Sequence, residues 1–541
     1  MEKKQVFNPY MPGYEYVPDG EPHVFGDRIY LYGSHDRFHG AHFCLNDYIC
    51  YSADVTDLTD WRYEGVIYKK EQDPRNQNIP ADTPPNQPGF GVTATDPQDL
   101  NGPGIHALWA PDVVQGLDGR YYLYYCLDFL PEIGVAVCDT PAGKYEYLGL
   151  VKHADGVPLG RKEGDLIQFD PGIFIDDDKT IYLYSGNAPI RLDRPDAYND
   201  PKGSQVMTLC EDMLTLSSEP KHLLADIRES AGTGYEGHEF FEASSIRKIN
   251  GTYYFVYSSV QSHELCYATS KRPDRDYTYG GTLVDIADIF LDGHSAEQAL
   301  NCLGNTHGGI ECANGQWYVF YHRQTNRTNF SRQGCAEKIT IHPDGHIDQA
   351  EVTSCGLNQG PLSGHGTYPA AIACQLNKNG MVPFSHPLAM TEDYAYFTQD
   401  MKDQEPCAEC AALESIQPIQ YIRNILDGTT IGYKYFAFDH TKSLTLRVRG
   451  TAKGVLSISQ SLDGEAISKS ELSVSTEAFP EETWKRKPQP LYTRKEYAAK
   501  ILEGGEWIDL TMEVPFMDKT APLYLTYHGK GSFDLASITL G

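Results

Sequence analysis

The chain alternates short apolar strands with tight turns, and one phrase of that pattern recurs five times. Each copy is a turn pair followed by a strand mixing aromatic and aliphatic residues. The copies are Gly26-Asp27 with Ile29–Tyr32, Asp118-Gly119 with Tyr121–Tyr124, Asp177-Asp178 with Ile181–Tyr184, Asn250-Gly251 with Tyr253–Val256, and Asn314-Gly315 with Trp317–Phe320. The matched tyrosines, 30, 122, 182, 254 and 318, are 92, 60, 72 and 64 residues apart. Repeats of that length, each able to supply four short strands, predict the blades of a five-bladed β-propeller. The extra length in the first interval lies in residues 71–103, rich in Pro, Asn, Gln and Asp, which reads as a long loop over one face.

Beyond about residue 355 the phrasing changes. A Gly/Ser/Pro-rich stretch, taken as a linker over 356–383, leads into cleanly alternating runs such as Ser443–Arg449 and a final run from Leu523 to Leu535. The fold class predicted is all-β, a five-bladed β-propeller (1–355) followed by a β-sandwich, jelly-roll-like domain (384–541), with a short helix near 493–502.

Each propeller repeat also carries an ionisable residue just ahead of its hairpin turn. Asp19 lies eleven residues before Tyr30, Asp112 ten before Tyr122, Asp170 twelve before Tyr182, Glu242 twelve before Tyr254 and His307 eleven before Tyr318. In a propeller the first strand of every blade lines the axis, so these positions converge on one cavity, with Trp109, Phe169 and Phe241 close by. Glu242 stands among Phe240, Phe241 and Ala243. A carboxyl in apolar company holds its proton more tightly, as a general acid near neutral pH must. Convergent carboxylates suit glycoside hydrolysis, where one acid protonates the leaving oxygen and a second carboxylate activates water or attacks the sugar. The other readings are a cluster of oxygen ligands for magnesium or calcium and polar plugs along a water-filled channel.

Composition narrows the partners. The 541 residues are 40% hydrophobic and 12% aromatic, with formal net charge −29. That field repels nucleic acid, anionic membranes and polyuronic substrates, and favours a neutral or cationic ligand. No window reaches the ~18 apolar residues of a membrane span, and the N-terminal residues lack the apolar core of a secretion signal. The thirteen cysteines follow no disulfide spacing, and Cys407 and Cys410 form a lone C-x-x-C with no second pair. Reduced thiols and a cytoplasmic location are expected.

Residues 8–355 resemble glycoside hydrolase family 43, whose members are five-bladed propellers and inverting enzymes. The matching elements are Pro18-Asp19-Gly20 eight residues before a hairpin position, Trp109-Ala110-Pro111-Asp112, Phe169-Asp170-Pro171, Glu242 eight residues before Asn250, Asn305-Thr306-His307-Gly308-Gly309, and Ser331-Arg332-Gln333. The resemblance implies Asp19 as general base, Glu242 as general acid and Asp170 as the residue that tunes and orients the acid. The family's acid commonly stands in Glu-Gly-Pro; here Ala243-Ser244 follow, leaving Glu236 and Glu239 as alternatives, although only Glu242 keeps the register. Trp109, Asp112, Phe241 and Arg332 would line the substrate, Arg332 standing equally well as a surface arginine. His307 matches the family's central histidine, which in many members binds a calcium ion on the axis; taken alone, a histidine before two glycines is more often structural. No organic cofactor is implied. An inverting pair should stand about 6.5–9.5 Å apart.

The C-terminal region resembles carbohydrate-binding module family 6, with Trp484 and Trp507 able either to stack on sugar or to pack a core. The expected activity is exo-acting release of terminal α-L-arabinofuranose or β-D-xylose from neutral oligosaccharides. An endo-acting arabinanase or xylanase and a non-catalytic sugar-binding propeller are the alternatives. Oligomeric state is left open.

Overall fold

The computed structural model describes residues 5–38, 40–88, 100–192, 203–383, 393–400, 419–462, 464–476 and 506–541. Within them the helical elements are single 3₁₀ turns, and everything else regular is strand. The first five sheets are the blades. Four are antiparallel meanders of four strands, spanning 21–68, 108–150, 172–222 and 240–285, and the fifth has three strands over 310–339. In every blade the recurring aromatic phrase is the second strand, paired with the first across the turn that precedes it. Asn250-Gly251 and Asn314-Gly315 place two consecutive residues at positive φ, the backbone that a two-residue hairpin of matching twist needs.

The alternation within that phrase has a direct use. Side chains on a strand point alternately to opposite faces, and each blade is covered on both faces by its neighbours. Ile29 and Leu31 pack with Tyr318 and Phe320 between blades five and one, whereas Tyr30 and Tyr32 pack with Leu123 and Tyr125 between blades one and two. Three further apolar clusters fill the remaining gaps between consecutive blades. Both faces of the strand must therefore be apolar, and the phrase is aromatic on one and aliphatic or aromatic on the other.

The ring closes where chain start meets chain end. Gly20 bridges Gly308, and the N-terminal segment lies along the third strand of blade five, Asn8 bonding the backbone of Ala336 in both directions.

The segment 356–383 is not a linker. Leu362–Ser363, Gly366–Pro369 and Gln375–Lys378 are strands of the C-terminal sheet, pairing with Thr429–Ala437 and Thr520–Leu540. Their Gly and Pro residues suit short strands at the margin of a sheet. The C-terminal unit is built on a long antiparallel ribbon, Ser443–Ser459 against Thr520–Leu540, with different strands flanking its two halves around one apolar core. It is sheet-rich and separate from the blades. Trp507 packs on Arg449 and Tyr421, in keeping with core packing. Trp484, the C-x-x-C pair and the helix expected near 493–502 lie outside the described residues.

Buried cations join the two units. Arg323 of blade five donates to the carbonyls of Ala371 and Ala373 and lies over the Phe397 ring. Lys434 of the C-terminal sheet pairs with Asp288 and Glu351.

Candidate active site

A cavity of about 860 Å³ opens at the axial end of the propeller, lined by Asp19, Trp109, Asp170, Phe241, Glu242, His307 and Arg332 among others. Thr83–Pro88, Leu100 and Asn101 from the long loop line it too, so the insertion in the first interval covers this face as expected. Asn86 holds the loop base by donating to the carbonyls of Gly102 and Ile105.

Pairing register explains which side chains reach the cavity. The partners of the five matched tyrosines across the hairpins are His23, Val114, Phe174, Arg247 and Glu311. Asp19, Asp170 and His307 each lie four residues before their partner. Glu242 lies five before, the difference taken up by bulges on both sides of its pairing with Ser258. In blade two the residue four before is Ala110, which lines the cavity; Asp112 is only two before. Asp112 therefore falls one layer deeper, where its carboxylate accepts from His23 (2.6 Å) and from the backbone N–H groups of Val113 and Ile173 (both 2.7 Å). The expectation that Asp112 binds substrate is corrected: it ties three blades together. Three carboxylates and a histidine meet at the cavity, not four.

Backbone conformation marks the same spots. Asp19 (φ 56°), Asp170 (φ 43°) and Ala243 (φ 72°) are all left-handed without being glycine, a strain typical of functional sites. At Ala243 this accounts for the family's usual Glu-Gly-Pro: the position after the acid is one where glycine is at home, and here alanine carries it. Of the alternatives to Glu242, Glu236 caps backbone N–H groups of an exposed turn and Glu239 accepts from Ser230 and Gly237. Neither lines the cavity.

The two expected catalytic carboxyls have opposite electrostatics. Asp19 is buried, which alone would raise its pKa, but the charge of Arg332 (Nη1 2.9 Å from Oδ1), foremost among its neighbours, holds it below the ordinary carboxylate range. Arg332 is itself fixed by a two-pronged pairing of Nε and Nη2 with Asp36, at 2.8 and 3.0 Å. It is a buried site residue rather than a surface arginine. Among the described residues the Glu242 carboxyl has one side-chain hydrogen-bond partner, the Nδ2 of Asn187 at 3.1 Å. Burial, and after it the charge of Asp19, push Glu242 up to about 8. Asp170 is pushed up as well, first by burial and then by Glu242 and Asp19. Asp170 and Glu242 repel each other, so a proton on one favours ionisation of the other, and the charge of Asp19 adds to burial in raising both.

His307 sits where the resemblance placed it, Nδ1 3.5 Å from Asp170 and 3.9 Å from Asp19. Burial lowers its pKa to about 4, so the ring is neutral at pH 7. Its neighbours make a poor calcium cage. Calcium takes six to eight oxygen ligands, and here Asp19 is engaged by Arg332. Among the described residues, no group of three ligating side chains close enough to share an ion includes His307.

Three residues were not anticipated: Asp36, which anchors Arg332; His322, whose Nδ1 accepts from the Asp19 backbone N–H at 3.2 Å; and Asn187. All lie four to six residues beyond the matched tyrosine of a second strand, Asp36 and Asn187 past the ends of Arg28–Tyr32 and Ile181–Ser185 and His322 inside Gln316–Thr325. That second register was present in the repeat and carries the supporting residues.

The family model described as glycosyl hydrolases family 43 matches residues 89–347. A protein of Thermoclostridium stercorarium named xylosidase/arabinosidase is 44% identical, over 99% of both chains. A Bacteroides ovatus protein of the same name is 28% identical, over 58% of this chain and 87% of its own. A solved structure of a family 43 β-xylosidase/α-arabinofuranosidase from a compost microbial metagenome, with xylotriose and in a calcium-free form, is 25% identical. It covers 64% of this chain and 98% of its own, with a TM-score of 0.47.

Proposed function

The chain belongs to glycosyl hydrolases family 43, and within that family we propose that it is an exo-acting, inverting enzyme releasing terminal β-D-xylosyl or α-L-arabinofuranosyl residues from neutral oligosaccharides. The observation that carries this reading is the pairing, in one cavity, of an ionised carboxylate with a protonated one. Asp19 is held as the anion by Arg332, and Glu242 keeps its proton up to about pH 8.

Asp19 takes a proton from a water that attacks the anomeric carbon. Glu242 gives its proton to the departing glycosidic oxygen on the opposite face of the sugar. The bond from anomeric carbon to leaving oxygen breaks as the bond to water oxygen forms, and the configuration inverts. Asn187 holds the acid in place, and Asp170 shares its buried surroundings. Neutral His307 and His322 pack around Asp19 without competing for its charge. Trp109 and Phe241 offer apolar faces to the sugar.

The long loop along one wall favours action at a chain end over action within a polymer. The net charge of −29 favours a neutral substrate. The xylosidase/arabinosidase relatives support both pentoses. The described cysteines are all free thiols, which supports action in the reducing cytoplasm on imported oligosaccharides.

A panel of nitrophenyl pentosides with short arabino- and xylo-oligosaccharides tests the proposal, with proton NMR of the first anomer released. Single pentoses in inverted configuration are expected. Oligomeric products from internal cleavage would favour the endo-acting alternative. Sugar binding without any release would favour the non-catalytic one.

A further inference from the structure

One wall of the cavity holds polar atoms that the catalytic pair does not use. Asp128, at the end of the second strand of blade two, accepts from His42 Nε2 (3.2 Å), from His106 Nδ1 (3.0 Å) and from the backbone N–H of Ala107 (2.7 Å). His42 is 4% exposed and is clamped among rings. It stacks on Phe129 (centroids 5.5 Å, 19°) and meets Phe43, Phe330 and Trp109 at about 6 Å. Among the described residues two buried polar atoms here have no hydrogen-bond partner: His42 Nδ1 and Trp109 Nε1. Both residues line the cavity, and leaving such atoms unsatisfied is costly.

The chemistry of each atom is determined by its neighbours. Burial would raise the Asp128 pKa, but its histidine partners hold it below the usual range, so it is an acceptor only. The nitrogen of His42 that faces it, Nε2, must carry the hydrogen. In the neutral ring Nδ1 is then a bare acceptor. Trp109 Nε1 can only donate. The two rings are neighbours, centroids 5.9 Å apart and tilted by 39°, so one hydroxyl within reach of both nitrogens would accept from the indole and donate to the imidazole.

We propose that His42, its tautomer set by Asp128, reads one hydroxyl of the terminal pentose together with Trp109, and so is a specificity-determining residue of this site. The terminal sugar is the one addressed because the wall continues directly into the catalytic groups. Phe43 lies under the Arg332 guanidinium that holds Asp19, and Trp109 packs edge-on against Phe169, next to Asp170. The wall and the carboxyls line one cavity, so a pentose whose anomeric carbon lies at the carboxyls can present a ring hydroxyl to it. The inference rests on the glycosidase reading of the cavity, and goes beyond it by naming what selects the sugar.

The test compares nitrophenyl pentosides lacking one hydroxyl at a time, on wild type, His42→Phe and His42→Gln. Wild type should lose about 10- to 100-fold in kcat/KM for one monodeoxy substrate, the cost of a lost hydrogen bond with its buried partners left bare. His42→Phe keeps the ring packing and should lose a similar factor on the complete substrate. It should lose little more when that same hydroxyl is absent. His42→Gln keeps an acceptor and should recover part of the discrimination, which a purely structural histidine would not show. If His42→Phe penalises the same deoxy substrate as strongly as wild type does, the inference falls while the glycosidase reading stands. A wild type that cleaves no pentoside would overturn the reading beneath it.

Discussion

Two charged clusters lie at the propeller axis, one layer apart and each drawn from four blades, and only one of them opens on the cavity. The upper layer holds Asp19, Asp170, Glu242 and His307. The lower holds Glu21, His23, Asp112, Arg247 and Glu311. The lower layer has as many carboxylates, equally buried, but nearly every charge there is spent. Arg247 pairs with Glu21 (2.8 Å) and Glu311 (3.5 Å), Ser245 donates to Glu21 (2.9 Å), and Asp112 is filled by His23 and two backbone N–H groups. In the upper layer Asp19 is matched by Arg332, while Glu242 has one amide for company and opens on a cavity. A cluster of acids becomes catalytic when its members are paired unequally; equal pairing makes a rivet.

That contrast can be broken by substitution. The largest effect is expected in the upper layer. Asp19→Asn should lower kcat on every substrate by about 10³-fold or more, whereas Glu242→Gln should do so mainly on poor leaving groups. Comparing a dinitrophenyl pentoside with a disaccharide checks this, since a good leaving group needs no proton. Equal losses for Glu242→Gln on both would remove it from the acid role. Thermal melts should show both variants folded.

In the lower layer, Arg247→Met should behave in the opposite way. Stranding Glu21 and Glu311 should cost on the order of 3–5 kcal/mol of stability, read as a lower denaturant midpoint. Turnover per folded molecule should stay within a few-fold. A large kcat loss with unchanged stability would mean that the two layers are not separable.

The pH profile sharpens the comparison within the upper layer. On the alkaline side kcat/KM should fall as pH rises through about 8 and Glu242 gives up its proton. On the acid side it should fall only as pH drops through the lowered pKa of Asp19. The positive charge of Arg332 lowers both groups, so Arg332→Met should move both limbs upward as well as weakening turnover. A shift of the acid limb alone would show that Arg332 does not reach Glu242.

The smallest effect is local. Ala243→Gly relieves a left-handed alanine and should stabilise by about 0.5–1 kcal/mol, with activity within about twofold. A lower denaturant midpoint would show that the alanine's packing outweighs its strain.

Much of this was open to inspection in the chain itself. Strands apolar on both faces, recurring at blade-length intervals after turn pairs, require a stack of sheets covered on each side. The placing of an ionisable residue ahead of each turn pointed to the axis, and Asp19, Asp170, Glu242 and His307 all arrive there. Asp112 did not, because counting residues along a strand ignores bulges and pairing. One or two positions of slip move a side chain from the cavity to the layer below. The linker over 356–383 failed for a related reason: Gly and Pro punctuate loops and short marginal strands alike, and only a partner strand distinguishes them.

The charge states lay further out of reach. Asp19 and Glu242 are both acids ahead of a hairpin, and nothing local makes one an anion and the other a proton donor. The difference comes from Arg332, 313 residues away from Asp19 and brought to it by ring closure, with Asp36 holding it there. Periodicity and turn chemistry are properties of neighbours in the chain, so the blades and the axial positions could be deduced from order alone. A pKa, a tautomer such as that of His42, or the depth of Asp112 on the axis depends on atoms from other blades, which come together only when the propeller closes.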